Sequence, residues 1–195
     1  MNLSVKRQPT EEKGQPEYHL FSETGTLLLR ADLQGLAAGG NADRVIRFVR
    51  PDNNLLATMK FVAPPAEREN QKRDVDFVLV QDYAVYAIIS RHTRPGSEGL
   101  GGLDLYYTLE AEGDTWLALP ESDPAGAFAL YNRVPAGIGT YHRLTELDLP
   151  PSVGRVLPGA ATGDFQIELP ARRWRQANLV LLAFVVLLRV LNRSA

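Results

Sequence analysis

One stretch of this sequence limits the available folds more than any other: NLVLLAFVVLLRVL, in which apolar residues run unbroken from Leu179 to Leu188 and resume past Arg189 with Val190 and Leu191. Pro170 lies just upstream, where a helix starts but does not continue through. A helix that is apolar on every side belongs inside a protein or inside a bilayer. Spanning a hydrocarbon core of roughly 30 Å takes about 20 apolar residues. The run here is about 13 residues, or roughly 20 Å at about 1.5 Å per residue, and Arg189 interrupts it. It reads as a core helix over about residues 173–192. Snorkelling of Trp174, Arg175 and Arg193 lengthens the effective span, so a tail-anchored membrane protein with this helix in the bilayer stays open as the alternative.

A helix buried on all sides needs material to surround it, and the rest of the chain supplies strands. From Tyr18 onward apolar residues recur at a spacing of two, the period of a strand with one buried face. In TLLLRADL the residues Leu27, Leu29, Ala31 and Leu33 share a face. LLATMKFV repeats this with Leu55, Ala57, Met59 and Phe61, LDLYYTLE with Leu103, Leu105, Tyr107 and Leu109, and DFQIEL with Phe165, Ile167 and Leu169. Turn chemistry stands between strands in SETG (Ser22–Gly25), PDNN (Pro51–Asn54) and EGD (Glu112–Asp114). Further strands are expected near Val75–Val80, Tyr83–Ser90, Thr115–Leu119, Ala127–Asn132 and Tyr141–Leu149. Polar or glycine-rich loops are expected at Pro64–Arg73 and Arg91–Gly102. Ten to twelve strands closed around the helix would give both it and the inward strand faces their cover, and would leave no sheet edge exposed. The expected fold is mainly β: a closed antiparallel barrel around a buried hydrophobic C-terminal helix. Residues 1–16, rich in charge, read as a solvated tail, and 17–195 as one domain.

Several chemistries are disfavoured by composition. There is no Cys among the 195 residues, which excludes disulfides, thiolate metal sites and cysteine nucleophiles and suits a reducing compartment. The first residues hold no apolar stretch of the kind a secretory leader uses, so the expected location is the cytoplasm, with a peripheral place at a membrane. The body is acidic, while Arg172, Arg173, Arg175, Arg189 and Arg193 follow the last acid, Glu168. No basic run with interleaved aromatics appears in the body, so nucleic acid is not an expected partner. His19, His92 and His142 fall in different elements without ligand spacing. The pairs Asp74/Asp76 and Glu146/Asp148 read as solvated strand faces rather than acid pairs. GSEGLGGL lacks the Lys-Ser/Thr and strand-to-helix context of a phosphate loop, and no serine sits in a G-x-S-x-G elbow. No catalytic residue, cofactor, metal or small-molecule substrate is therefore assigned, and the chain is not expected to be an enzyme.

The order of its segments resembles the tubby C-terminal-like superfamily, which includes the LURP-one-related proteins and phospholipid scramblases. YHLFSETGTLLLRADLQG is similar to the opening hairpin of that family, RFVRPDNNLLATMKF to its second, and NLVLLAFVVLLRVL to its terminal helix. The resemblance implies a barrel of about twelve strands around a C-terminal helix, covering about residues 17–193. The departures concern function: scramblases carry a cysteine cluster and a proline-rich N-terminal region, both lacking here, and the basic residues by which tubby proteins hold phosphoinositide headgroups have no counterpart that aligns.

Two basic groups form the candidate binding surface. Arg91, His92 and Arg94 cluster in one expected loop, and Arg172, Arg173, Trp174 and Arg175 precede the helix; either group suits anionic headgroups, with Trp174 at the interface. The expected function is a non-enzymatic binding or scaffold module that recognises an anionic phospholipid or a protein partner. The alternatives are the tail anchor and a scramblase-like lipid-handling protein.

Overall fold

The computed structural model of the chain describes residues 2–9, 17–33, 45–62, 75–93, 105–132, 150–169 and 175–191. Twelve strands lie among them: β1 (Asn2–Gln8), β2 (Glu17–Phe21), β3 (Leu27–Asp32), β4 (Val45–Val49), β5 (Leu55–Val62), β6 (Val75–Gln81), β7 (Ala84–Thr93), β8 (Leu105–Ala111), β9 (Asp114–Pro120), β10 (Phe128–Tyr131), β11 (Gly154–Pro158) and β12 (Phe165–Glu168). One helix, α1 (Ala177–Leu191), follows. Each strand pairs antiparallel with its sequence neighbours, and β1 pairs with β12, so the sheet closes into a barrel.

The closing strand corrects the reading of residues 1–16 as a tail. Residues 2–8 form β1, whose Leu3 meets Ile167 of β12 and whose Val5 meets both Phe165 of β12 and Leu20 of β2. Leu3 and Val5 are buried. Only these two apolar positions mark the strand, and the charges of Lys6 and Arg7 on either side of its register hide them in the sequence. Residues 10–16 lie outside the described residues.

Inward positions alternate around the wall as the spacing of two requires: Tyr18 and Leu20, Leu29 and Ala31, Ile46 and Phe48, Ala57 and Met59, Phe77 and Leu79, Ala87 and Ile89, Tyr107 and Leu109 all join one core. Bulges interrupt the alternation where strands turn. The register slips between Phe48 and Val49, which brings Leu55 opposite Val49 rather than continuing the step that sets Ala57 against Phe48. Leu55 is consequently half exposed, and Leu56 is buried beside Ala57. Phe61 keeps the parity of Met59 but stands at the rim, where its ring meets Phe77 edge-on at 5.9 Å.

α1 fills the barrel. From Leu179 to Leu188 no residue is more than 1% exposed, so the helix presents apolar surface in every direction and finds wall in every direction. It runs closest to β3 and β2. On another side the Phe184 ring meets Tyr107 of β8 at 5.2 Å and Phe128 of β10 at 5.6 Å, both edge-on. Each such buried side chain contributes roughly 1.5–3 kcal/mol from removal of apolar area. Arg175 and Gln176 form the turn before the helix, which thus begins at Ala177 rather than near residue 173. Among the described residues no helix is long and apolar enough to cross a membrane.

Two further differences have local causes, and one expectation is not reached by the described residues. β11 is unmarked in the sequence because only Val156 of GRVLP is buried, between an opening glycine and a closing proline. β7 continues to Thr93, so Arg91 and His92 are strand residues and not part of a loop. The expected strand Tyr141–Leu149, together with His142, Glu146 and Asp148, lies outside the described residues, as does Asp74.

Candidate functional site

The two ends of the barrel differ. The end at which α1 enters is capped by tight hairpin turns: Ser22–Thr26, Arg50–Asn54, Asp82–Tyr83 and Glu112–Gly113. Of these, Asp82–Tyr83 carries no turn signal in the sequence. A two-residue hairpin turn of the favoured hand needs positive φ at both central residues, which is why Asn-Gly and Asp-Gly dominate there. Here φ is +48° at Asp82 and +62° at Tyr83. A bulky aromatic held in the left-handed region is a strained choice. Its side chain gains nothing from packing, since Tyr83 is fully exposed.

Below this tip, a cleft of about 340 Å³ is lined by Gln81, Asp82, Ala84, Val85, Tyr86, Glu112, Arg175 and Gln176. Its polar wall is the device that seats the helix. RRWRQAN supplies no Ser, Thr or Asp to cap α1 locally, and the barrel instead fixes the two residues that lead into it. The Glu112 carboxylate accepts the backbone N–H of Arg175 at 3.2 Å and its Nε–H at 3.1 Å. Tyr86 donates its hydroxyl proton to Glu112 at 3.1 Å and accepts the backbone N–H of Gln176 at 3.1 Å. The backbone N–H of Arg175, ahead of any other influence, holds the Glu112 carboxyl below its usual range. The phenol of Tyr86 is pushed up, first by burial and also by its place beside that carboxylate. An acid at a helix N-terminus also suits the helix dipole.

The apolar rim of the cleft extends past Tyr83. Val85 is exposed on β7, and Leu55 is exposed at the start of β5. Thr58 pairs with Val80 and Val80 with Val85, so β5, which begins at Leu55, is the direct neighbour of the hairpin that carries Tyr83 and Val85. Charges of both signs stand on the hairpin tips of this end: Glu23, Asp52, Asp82, Glu112 and Asp114, with Arg50 and Arg175 among them.

Of the residues singled out from the sequence, the described ones, Arg91, His92 and Arg175, do not share one surface. Arg175 is at the helix entrance. Arg91 is six residues further along β7 than Val85, a separation of roughly 20 Å at about 3.3 Å per residue, and so belongs to the opposite mouth. Arg91 shares the parity of Ala87 and Ile89 and points into the barrel, whereas His92 lies on the outer wall. His92 is hydrogen-bonded through Nε2 to Thr108 Oγ1 at 2.9 Å and stacked on Tyr106 at 4.7 Å. It belongs to an outer row in which His92 pairs with Tyr106, beside a second row where Ser90 meets Thr108, Thr108 meets Leu117, and Leu117 meets Tyr131. Both faces of the wall are buried there, Leu117 completely. Arg94, Arg172, Arg173 and Trp174 lie outside the described residues. His19 sits apart on the outer wall, 3.0 Å from Glu17.

Comparison of the chain with profiles of protein families, with curated proteins and with solved structures returns no match. The closed twelve-stranded barrel with one enclosed helix is the architecture that the tubby-like resemblance implies.

Proposed function

We propose that this protein is a non-catalytic binding module of tubby-like type, and that it engages a protein partner through the end of the barrel where α1 enters. The observation that carries the reading is the pairing of a filled interior with an exposed rim. α1 occupies the space in which a barrel holds a small ligand, which leaves the outer surface and the two mouths. At the entrance mouth Leu55, Tyr83 and Val85 expose apolar area beside a cleft. An aromatic held in a strained turn without intramolecular packing suits the anchor residue of an interface, where Tyr is enriched.

Mixed charge around that trio favours a protein over an anionic bilayer. Acidic residues on the hairpin tips would meet anionic headgroups with repulsion, and Arg175 already serves Glu112. The tail-anchor alternative needs α1 in the bilayer, whereas here α1 is the core of the barrel.

Site-specific photocrosslinking tests the reading in cells. A benzophenone side chain at position 83 should yield a discrete protein adduct. The adduct should be lost in the Leu55→Ser, Val85→Ser double variant and missing when the probe stands at position 123, at the opposite end. Equal adducts from both positions, or flotation of the purified protein with anionic but not neutral vesicles in place of a protein adduct, would overturn it.

A further inference from the structure

At the mouth opposite the helix entrance two hydrogen-bond donors face inward with no acceptor among the described residues. Tyr107 of β8 and Arg91 of β7 are direct partners in the antiparallel register. Tyr107 is 0% exposed, and its hydroxyl finds no hydrogen-bond partner among the described residues; nor does Arg91 Nε. The Tyr107 ring is held edge-on between Phe128 at 5.7 Å and Phe184 at 5.2 Å, so the direction of its hydroxyl is set by packing. Burial pushes this phenol up from its ordinary range while Arg91 pulls the other way, and the group stays a neutral O–H donor at physiological pH.

Natural interiors pair nearly all such groups, and an inward cation is costly unless a carboxylate or another acceptor meets it. Among the described residues no Asp or Glu holds an inward position at this mouth. The second inward-lying cation there, Arg189 in the last turn of α1, is placed over the Phe165 ring at 5.3 Å and also has a buried Nε without a partner. Arg189 is accounted for by the ring and by the negative end of the helix dipole. Arg91 and Tyr107 have no such account. Arg91 is part-buried, so part of its side chain meets solvent while its Nε and the Tyr107 hydroxyl are enclosed.

We propose that Arg91 and Tyr107 form a binding site for a single oxyanion, a carboxylate or phosphate group, that enters the barrel mouth opposite the hairpin tips and accepts both donors. The site is independent of the protein-binding surface proposed above. A planar guanidinium beside a phenol hydroxyl is suited to an anionic oxygen, to which each hydrogen bond is charge-assisted.

The test uses the full-length protein and inorganic phosphate at constant ionic strength, followed by the side-chain Nε–Hε resonance of Arg91 in NMR. That resonance is assigned by its loss in Arg91→Lys. A saturable shift is expected in the wild type, weakened about tenfold or more in Tyr107→Phe, since one hydrogen bond to a charged group is removed. Tyr107→Phe keeps the ring contacts and should fold at least as well as the wild type, because it deletes an unpartnered buried hydroxyl. Vesicles of phosphatidylcholine with and without phosphatidylserine form the second arm. A shift seen only with the anionic vesicles and lost in Tyr107→Phe supports the site with a headgroup as the source, and one seen with free phosphate supports it with a soluble anion. No saturable shift in either arm, or equal affinity in Tyr107→Phe, overturns the proposal and leaves the two donors to water.

Discussion

The carboxylate of Glu112, on the β8–β9 turn, accepts the backbone N–H of Arg175 two residues before α1 begins. A residue far away in sequence thereby fixes the chain at the point where it turns into the helix. Its pKa is lowered in the folded protein, so its contribution to stability is complete above the ordinary glutamate range and is lost as pH falls through the folded value. Glu112→Gln should therefore melt below the wild type at neutral pH, with the gap closing as the solution is acidified below that range. A gap that does not change with pH would show that the charge is not what the helix end uses.

Tyr83→Gly should raise stability while removing function. The change turns Asp82-Tyr83 into Asp-Gly, the pair that the turn prefers, and relieves a side chain held at φ +62°. Relief of left-handed strain, worth roughly 1–2 kcal/mol, outweighs the entropy that glycine costs, so a net gain in chemical denaturation is expected, together with loss of the adduct that the rim forms with its partner. A variant that is less stable than the wild type would mean that Tyr83 serves the fold.

Gly154 tests how tightly the barrel closes. A Cβ there would stand 2.5 Å from the carbonyl oxygen of Glu168 and 2.5 Å from Leu169 Cδ2, and the first of these is backbone and cannot step aside. Gly154→Ala should cost at least about 1–3 kcal/mol in urea denaturation, the usual scale of overpacking. Gly25→Ala, with no atom within 4 Å of the new methyl but φ at +80°, should lose only about 1 kcal/mol from backbone strain.

Phe184→Ala removes the ring that fills the space between Tyr107 and Phe128. A loss of roughly 3–5 kcal/mol is expected from the cavity. A loss below about 1 kcal/mol would place Phe184 outside the core.

Much of this architecture is legible in the sequence because it rests on periodicity. Leu29, Ala31 and Leu33 alternate, Tyr107 and Leu109 alternate, and Leu179–Leu188 does not alternate at all; these patterns lead to strands around a helix. The misses fall where tertiary context overrides local pattern. Leu3 and Val5 form a strand because β2 and β12 offer them edges, which no local signal reports. Leu55 leaves the core because a bulge at Phe48 and Val49 shifts its register. The candidate sites were harder still to see. Arg91 reads as loop charge until β7 is seen to reach Thr93 with Arg91 on the inner face. Asp82-Tyr83 gives no turn signal, since its conformation is imposed by the hairpin, and the role of Glu112 depends on Arg175, 63 residues further along the chain.

The central claim, that α1 is the enclosed core of a closed barrel, is tested most directly by chemical access to the helix. The chain has no cysteine, so a single Val185→Cys, a small apolar replacement at a fully buried position, reports on that position alone. The account predicts that a polar maleimide leaves position 185 unlabelled in the native protein in detergent-free buffer, labels it after denaturation, and labels a Tyr83→Cys control at once. Prompt labelling of position 185 in the native protein, or protection that appears only when membranes are present, would contradict it.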